Sequence, residues 1–130
     1  RQALDEAGYD SDDILYINAH GTGTALNDVS ETAAFKLALG QDAYKAHVSS
    51  IKGATGHMLG AAGAAEALAS VLALKNGVVP PTLNLDEIDP ECDLDYTPNR
   101  AVKADLTIAI SDSLGFGGHN GCVAFRKYNN

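Results

Sequence analysis

Apolar and polar positions along this chain fall into two alternating kinds of block. Three short, mostly apolar runs read as buried strands: Leu15-Tyr16-Ile17-Asn18-Ala19, His47-Val48-Ser49-Ser50-Ile51 and Thr107-Ile108-Ala109-Ile110-Ser111. Longer stretches with helical spacing lie between them. One begins at Asn27-Asp28 and runs to about Leu39, with Val29, Ala33, Leu37 and, at its margin, Phe35 facing inward, and Gly40 ending it. A second runs from about Leu59 to Lys75 and closes on Asn76-Gly77. Its Gly60, Ala61, Ala62, Gly63, Ala64 and Ala65 are small on every side, which predicts a central helix that neighbours approach closely.

Pro80-Pro81 breaks the pattern, and the acidic stretch from Thr82 to Arg100 reads as a surface excursion. Gly115-Phe116-Gly117-Gly118 is a turn, and Gly121 to Lys127 a last strand antiparallel to the one before it. The opening Arg1-Gln2-Ala3-Leu4-Asp5-Glu6-Ala7-Gly8 reads as the final turns of a helix closed by glycine, so the sequence is expected to be a piece of something longer. The order helix, strand, helix, strand, helix, strand, strand predicts an α/β fold, a mixed sheet with helices packed on its faces.

Composition narrows the function. The 130 residues suffice for one domain with a core. A net charge of -8 argues against nucleic acid and against an anionic membrane surface. No signal-peptide pattern is present, and the apolar tract from Met58 to Leu74 carries Glu66 and is shorter than a membrane span. Cys92 and Cys122 form no CxxC motif. Cys92 lies between Glu91 and Asp93, which disfavour a thiolate, and Cys122 reads as a core strand residue. Neither is expected to be a nucleophile.

The chemistry sits in two histidine motifs, Asn18-Ala19-His20-Gly21-Thr22-Gly23-Thr24 and Lys52-Gly53-Ala54-Thr55-Gly56-His57. His20 follows a strand, at the sheet edge where α/β proteins place ligands. His57 just precedes the small-residue helix, whose dipole favours a developing oxyanion. Two neutral imidazoles converging on one pocket could donate hydrogen bonds to a carbonyl oxygen as it gains charge. Thr22 and Thr24 alternate with glycine and can turn both hydroxyls to one side. Glu66, alone in an apolar helix, needs a partner, and Lys52 or a cation would serve. The Lys52 loop lacks a P-loop ending, no histidine–cysteine set has zinc spacing, and no GxSxG elbow occurs.

These two motifs, together with Gly115-Phe116-Gly117-Gly118-His119-Asn120, resemble the C-terminal half of the β-ketoacyl-[acyl-carrier-protein] synthases, most nearly the synthase II type of fatty-acid elongation. Pro90-Glu91-Cys92-Asp93-Leu94-Asp95-Tyr96 shares the likeness. The resemblance implies one half of a thiolase-like fold, spanning 1–130, and a Cys-His-His site whose cysteine lies on an N-terminal half absent from this sequence. It implies His20, His57 and Lys52 as catalytic residues, and Thr22, Thr24, Phe116 and Asn120 around the phosphopantetheine arm and acyl chain. Glu66 and Asp28 would give structural support. Some members hold a cation near positions matching Asn18, Glu66 and Ser111. The implied reaction is decarboxylative condensation with malonyl carrier protein, with no resident cofactor. The implied partners are an acyl carrier protein, the missing half and a second copy in a cytoplasmic homodimer. Without a nucleophile the isolated chain is expected to be inactive. A polyketide-synthase ketosynthase domain, a chain-length-factor-like partner and a non-catalytic carrier-binding fragment are the alternatives.

Overall fold

The computed structural model describes residues 1–128. Four strands form the main sheet: β1 (Leu15–Asn18), β2 (His47–Ser49), β5 (Ile108–Gly115) and β6 (His119–Arg126). Their order is β2-β1-β5-β6, with β1 parallel to both β2 and β5, and β6 antiparallel to β5. The mixed α/β sheet expected from the sequence is therefore present. A second, two-stranded sheet pairs β3 (Val78–Val79) with β4 (Val102–Lys103) and was not predicted. Strands of two residues are too short to carry a period.

The period of two in β1 divides the core. Leu15, Ile17 and Ala19 pack with Phe35 and Leu39 of helix α2 (Ala25–Leu39), alongside Val48, Ile108 and Ile110. Tyr16 points the other way, to Ala73 and Leu74 of helix α4 (Ala62–Asn76) and to Val79, Leu106 and Ala109. The sheet thus lies between two helical layers. Gly77, at φ +62°, ends α4 in the left-handed conformation.

Helix α2 turns Glu31, Thr32, Phe35 and Leu39 inward, while Leu37 is 90% exposed and Ala33 is exposed too. The Val29–Ala33–Leu37 stripe lies about opposite, because the inward face carries the Glu31 carboxylate to backbone donors described below. Helix α4 buries one face only, through Ala62, Glu66, Ser70, Ala73 and Leu74. Leu68, Val71 and Leu72 lie on its other face and are exposed within this chain.

The segment after β2 is not an open glycine loop. Lys52–Thr55 forms a helical turn, α3, because the N–H groups of Ala54 and Thr55 both find the Ile51 carbonyl. Cys122 is exposed, since it lies in the uncovered Gly121–Val123 stretch of the edge strand. The excursion from 82 to 100 is largely exposed as expected, yet it buries Cys92, Leu94 and Thr97. Its Thr97 hydroxyl donates to the Val48 carbonyl at 2.9 Å. Helix α1 (Gln2–Glu6) completes the set, and Gly8 follows it at φ +67°.

Candidate active site

The C-terminal ends of β1 and β2 deliver both histidine motifs to one edge of the sheet. The loop after β1 is held by its own backbone. The N–H groups of His20 and Gly21 donate to the two oxygens of Glu31, at 2.6 and 2.9 Å, and Asn27 Nδ2 adds a third bond at 3.3 Å. Glu31 is buried, and burial pushes its carboxyl up to about 7 against the pull of those donors. Asp28 supports the same loop by accepting from the Gly23 N–H at 3.3 Å. The Thr22 and Thr24 hydroxyls lie 2.9 Å apart and bond to each other, which places both on one side as expected.

Lys52 is buried and forms an ion pair with the buried Glu66 of α4. Its Nζ also lies 3.4 Å from His20 Nδ1. An ammonium can only donate, so Nδ1 accepts and the His20 proton resides on Nε2. His20 is 8% exposed, and burial followed by the Lys52 charge pushes its imidazole below the ordinary range, holding it neutral. His57 is exposed, and its Nδ1 accepts the Leu59 N–H at 3.1 Å. That bond likewise leaves its proton on Nε2. The two rings meet edge to face, with centroids 5.5 Å apart and planes at 85°. The two imidazoles, each with its Nδ1 accepting, are therefore neighbours, an arrangement that can donate hydrogen bonds to negative charge forming on a carbonyl-derived oxygen.

Two cavities meet here. One, of about 580 Å³, is lined by Thr22, Thr24, Glu31, Lys52, His57 and residues of the excursion including Leu83 and Ile88. The other, of about 770 Å³, is lined by His20, Thr22, Thr24, His57, Leu114 and Phe116. Thr22, Thr24 and His57 border both. Phe116, at the hairpin tip between β5 and β6, lines the second cavity and is 96% exposed. Asn120 lies on β6 opposite Leu114 and borders neither cavity, so it is not brought to the site by the described residues.

Two oxygens of the implied cation site are short of hydrogen-bond partners. Asn18 Oδ1 and Glu66 Oε2 are buried oxygens with no partner among the described residues. Ser111 is buried on β5 in register with Asn18. These are hard oxygen donors, and two of them are orphaned, so they fit a hard cation.

Sequence reading missed Glu31 and Ser50. The signal for Glu31 was a carboxylate four residues before Phe35 on a helix that packs on a core; taking Leu37 as inward concealed it.

The mixed sheet between helical layers belongs to the thiolase-like class, the fold it shares with solved ketosynthases. Comparison with known proteins gives the family. The model of the β-ketoacyl synthase C-terminal domain matches residues 1–86. The 3-oxoacyl-[acyl-carrier-protein] synthase 2 of Synechocystis sp. is 52% identical over 126 residues, covering 97% of this chain and 30% of that protein. The tetracenomycin polyketide synthase ketoacyl synthase alpha subunit of Streptomyces glaucescens is 56% identical over 125 residues, covering 96% and 29%. A solved type II polyketide-synthase acyl carrier protein in complex with its ketosynthase, bound to the hexaketide, superposes with a TM-score of 0.93 at 38% identity over 98% of this chain and 31% of that one. This chain belongs to the β-ketoacyl synthase family, within its C-terminal domain. It spans about 30% of the length of the curated relatives it matches. Among the described residues no helix is long and apolar enough to cross a membrane.

Proposed function

We propose that this chain is the histidine-bearing part of a condensing enzyme that extends an acyl chain by decarboxylative Claisen condensation. The observation that carries the reading is the convergence of the His20 and His57 rings beside Lys52. A cysteine outside this chain takes the acyl group as a thioester. Malonyl thioester then loses carbon dioxide, and the electron pair left behind forms an enolate whose oxygen is met by the Nε2–H groups of His20 and His57. The enolate carbon attacks the acyl thioester, the cysteine sulfur leaves, and a 3-oxoacyl product remains on the carrier. Lys52 keeps His20 neutral and oriented, and Glu66 holds Lys52. Thr22 and Thr24 bind the phosphopantetheine arm, Asp28 steadies their loop, Phe116 gates the acyl chain, and Asn120 stands on the adjoining strand. Asn18, Glu66 and Ser111 would hold a hard cation, which supplies local charge compensation.

The substrates arrive on an acyl carrier protein, the only group carrier required. The whole protein works in the cytoplasm as a homodimer. The relative at 56% identity supports a second reading, in which the same chemistry builds a polyketide. A sequence that keeps both histidines and Lys52 weighs against a chain-length factor.

The test is formation of 3-oxoacyl carrier protein from acyl and malonyl carrier proteins, by this chain alone and then with the cysteine-bearing remainder. Product only on mixing supports the reading, and repeated extension of one chain selects the polyketide version. Product from this chain alone would overturn it.

A further inference from the structure

The His20–Gly21 segment is gripped from two sides, and only one grip involves Glu31. Its N–H groups go to that carboxylate. Its carbonyls face Ser50, which lies just after β2. Ser50 Oγ donates to the Gly21 carbonyl at 2.9 Å and stands 3.5 Å from the His20 carbonyl. The same oxygen accepts the Lys52 N–H at 3.4 Å. One buried hydroxyl therefore touches the loop that carries His20 and the first residue of the turn that carries Lys52.

The fit around that hydroxyl is tight. Gly21 has φ +43°, and a β-carbon there would lie 2.5 Å from Ser50 Cβ. The two loops touch with no room for a side chain between them. Ser50 is fixed in turn, because its N–H donates to Thr82 Oγ1 at 3.1 Å, and that hydroxyl donates to the Tyr96 carbonyl at 2.7 Å. The excursion that looks like a surface loop thus braces the contact from behind.

We propose that Ser50 is a positioning residue that sets how the His20 imidazole sits against the Lys52 ammonium, by tying the two backbone segments through one hydroxyl. Ser50 touches no reacting atom in this assignment; it acts through His20. The inference rests on the proposed role of His20. Loss of the hydroxyl frees the Gly21 carbonyl and lets the loop drift. Misplacement of a donor by about 1 Å costs up to about a hundredfold in rate.

The test is malonyl carrier protein decarboxylation by the intact protein that carries this chain. It compares the parent with Ser50→Ala, His20→Ala and the double variant, with kcat and KM resolved. Ser50→Ala is expected to lower kcat about tenfold with little change in KM. The double variant is expected to match His20→Ala alone, because a residue that acts through His20 has nothing left to position once the imidazole is gone. A Ser50→Ala rate within about twofold of the parent overturns the inference. So does a further tenfold loss on the His20→Ala background, which marks a general effect on the fold. If Ser50→Ala loses its cooperative melt, Ser50→Cys, close in volume and a weak donor, is read by the same criteria. A parental rate in His20→Ala would instead remove the proposed role of His20, a failure seen in a different variant.

Discussion

Two glycine-rich loops border the second cavity, and they use glycine for opposite ends. The loop after β1 uses it for close approach. Gly21 sits against Ser50, its N–H and carbonyl are both taken, and His20 beside it is buried. The loop between β5 and β6 uses glycine for a tight reversal. Gly117 and Gly118 both have φ +80°, and Phe116 stands almost wholly in solvent. The hairpin is anchored at its far end, where Arg126 donates to the carbonyls of Ala7 and Gly8 and pairs with Asp13. The first loop is built to hold an imidazole still. The second presents the Phe116 side chain to solvent at a hairpin tip whose anchor lies at the opposite end.

The largest test of that contrast lies behind the first loop. Lys52→Met takes the ammonium partner away from the buried Glu66 carboxylate and should cost about 3–5 kcal/mol in denaturant unfolding of the intact protein. Adding Glu66→Leu should restore most of the loss, since a buried pair replaced by apolar residues is often near neutral. Thr82→Val removes the acceptor for the buried Ser50 N–H and should cost about 1–3 kcal/mol.

At the anchored end of the hairpin, Arg126→Ala should cost about 1–2 kcal/mol at neutral pH, less than a buried site because the arginine is partly solvated. The Arg126 guanidinium holds the Asp13 carboxyl down at about 2, below its ordinary 3.8. That stabilisation is present above the ordinary value and lost as pH falls through about 2. The gap between Arg126→Ala and the parent should therefore close over that acid window in unfolding measured as a function of pH. The smallest effect should come from Phe116→Ala, within about 0.5 kcal/mol, because the ring buries almost nothing. A Phe116→Ala loss as large as that of Thr82→Val would erase the distinction between the loops.

Much of this was legible because it is written in local pattern. The apolar runs of β1 and β5, the Gly77 stop of α4 and the two histidine motifs all announce themselves within a few residues. So does the Lys52–Glu66 pair, since a lone carboxylate in an apolar helix demands a partner. What escaped depends on tertiary geometry. Leu37 has the spacing of a core residue, yet Glu31 wins the inward face because its oxygens meet two backbone donors ten and eleven residues away. Ser50 looks like any serine at a strand end, and only the approach of Gly21 and Thr82 gives its hydroxyl a task. Cys122 alternates like a core residue, but its strand is the edge of the sheet.

In the proposed reaction His20 and His57 present two Nε2–H donors to an enolate oxygen. The most direct measurement is malonyl carrier protein decarboxylation by the intact protein bearing His20→Ala or His57→Ala. Each variant should lose about 10²–10³-fold in rate. Near-parental rates in both variants would contradict that role.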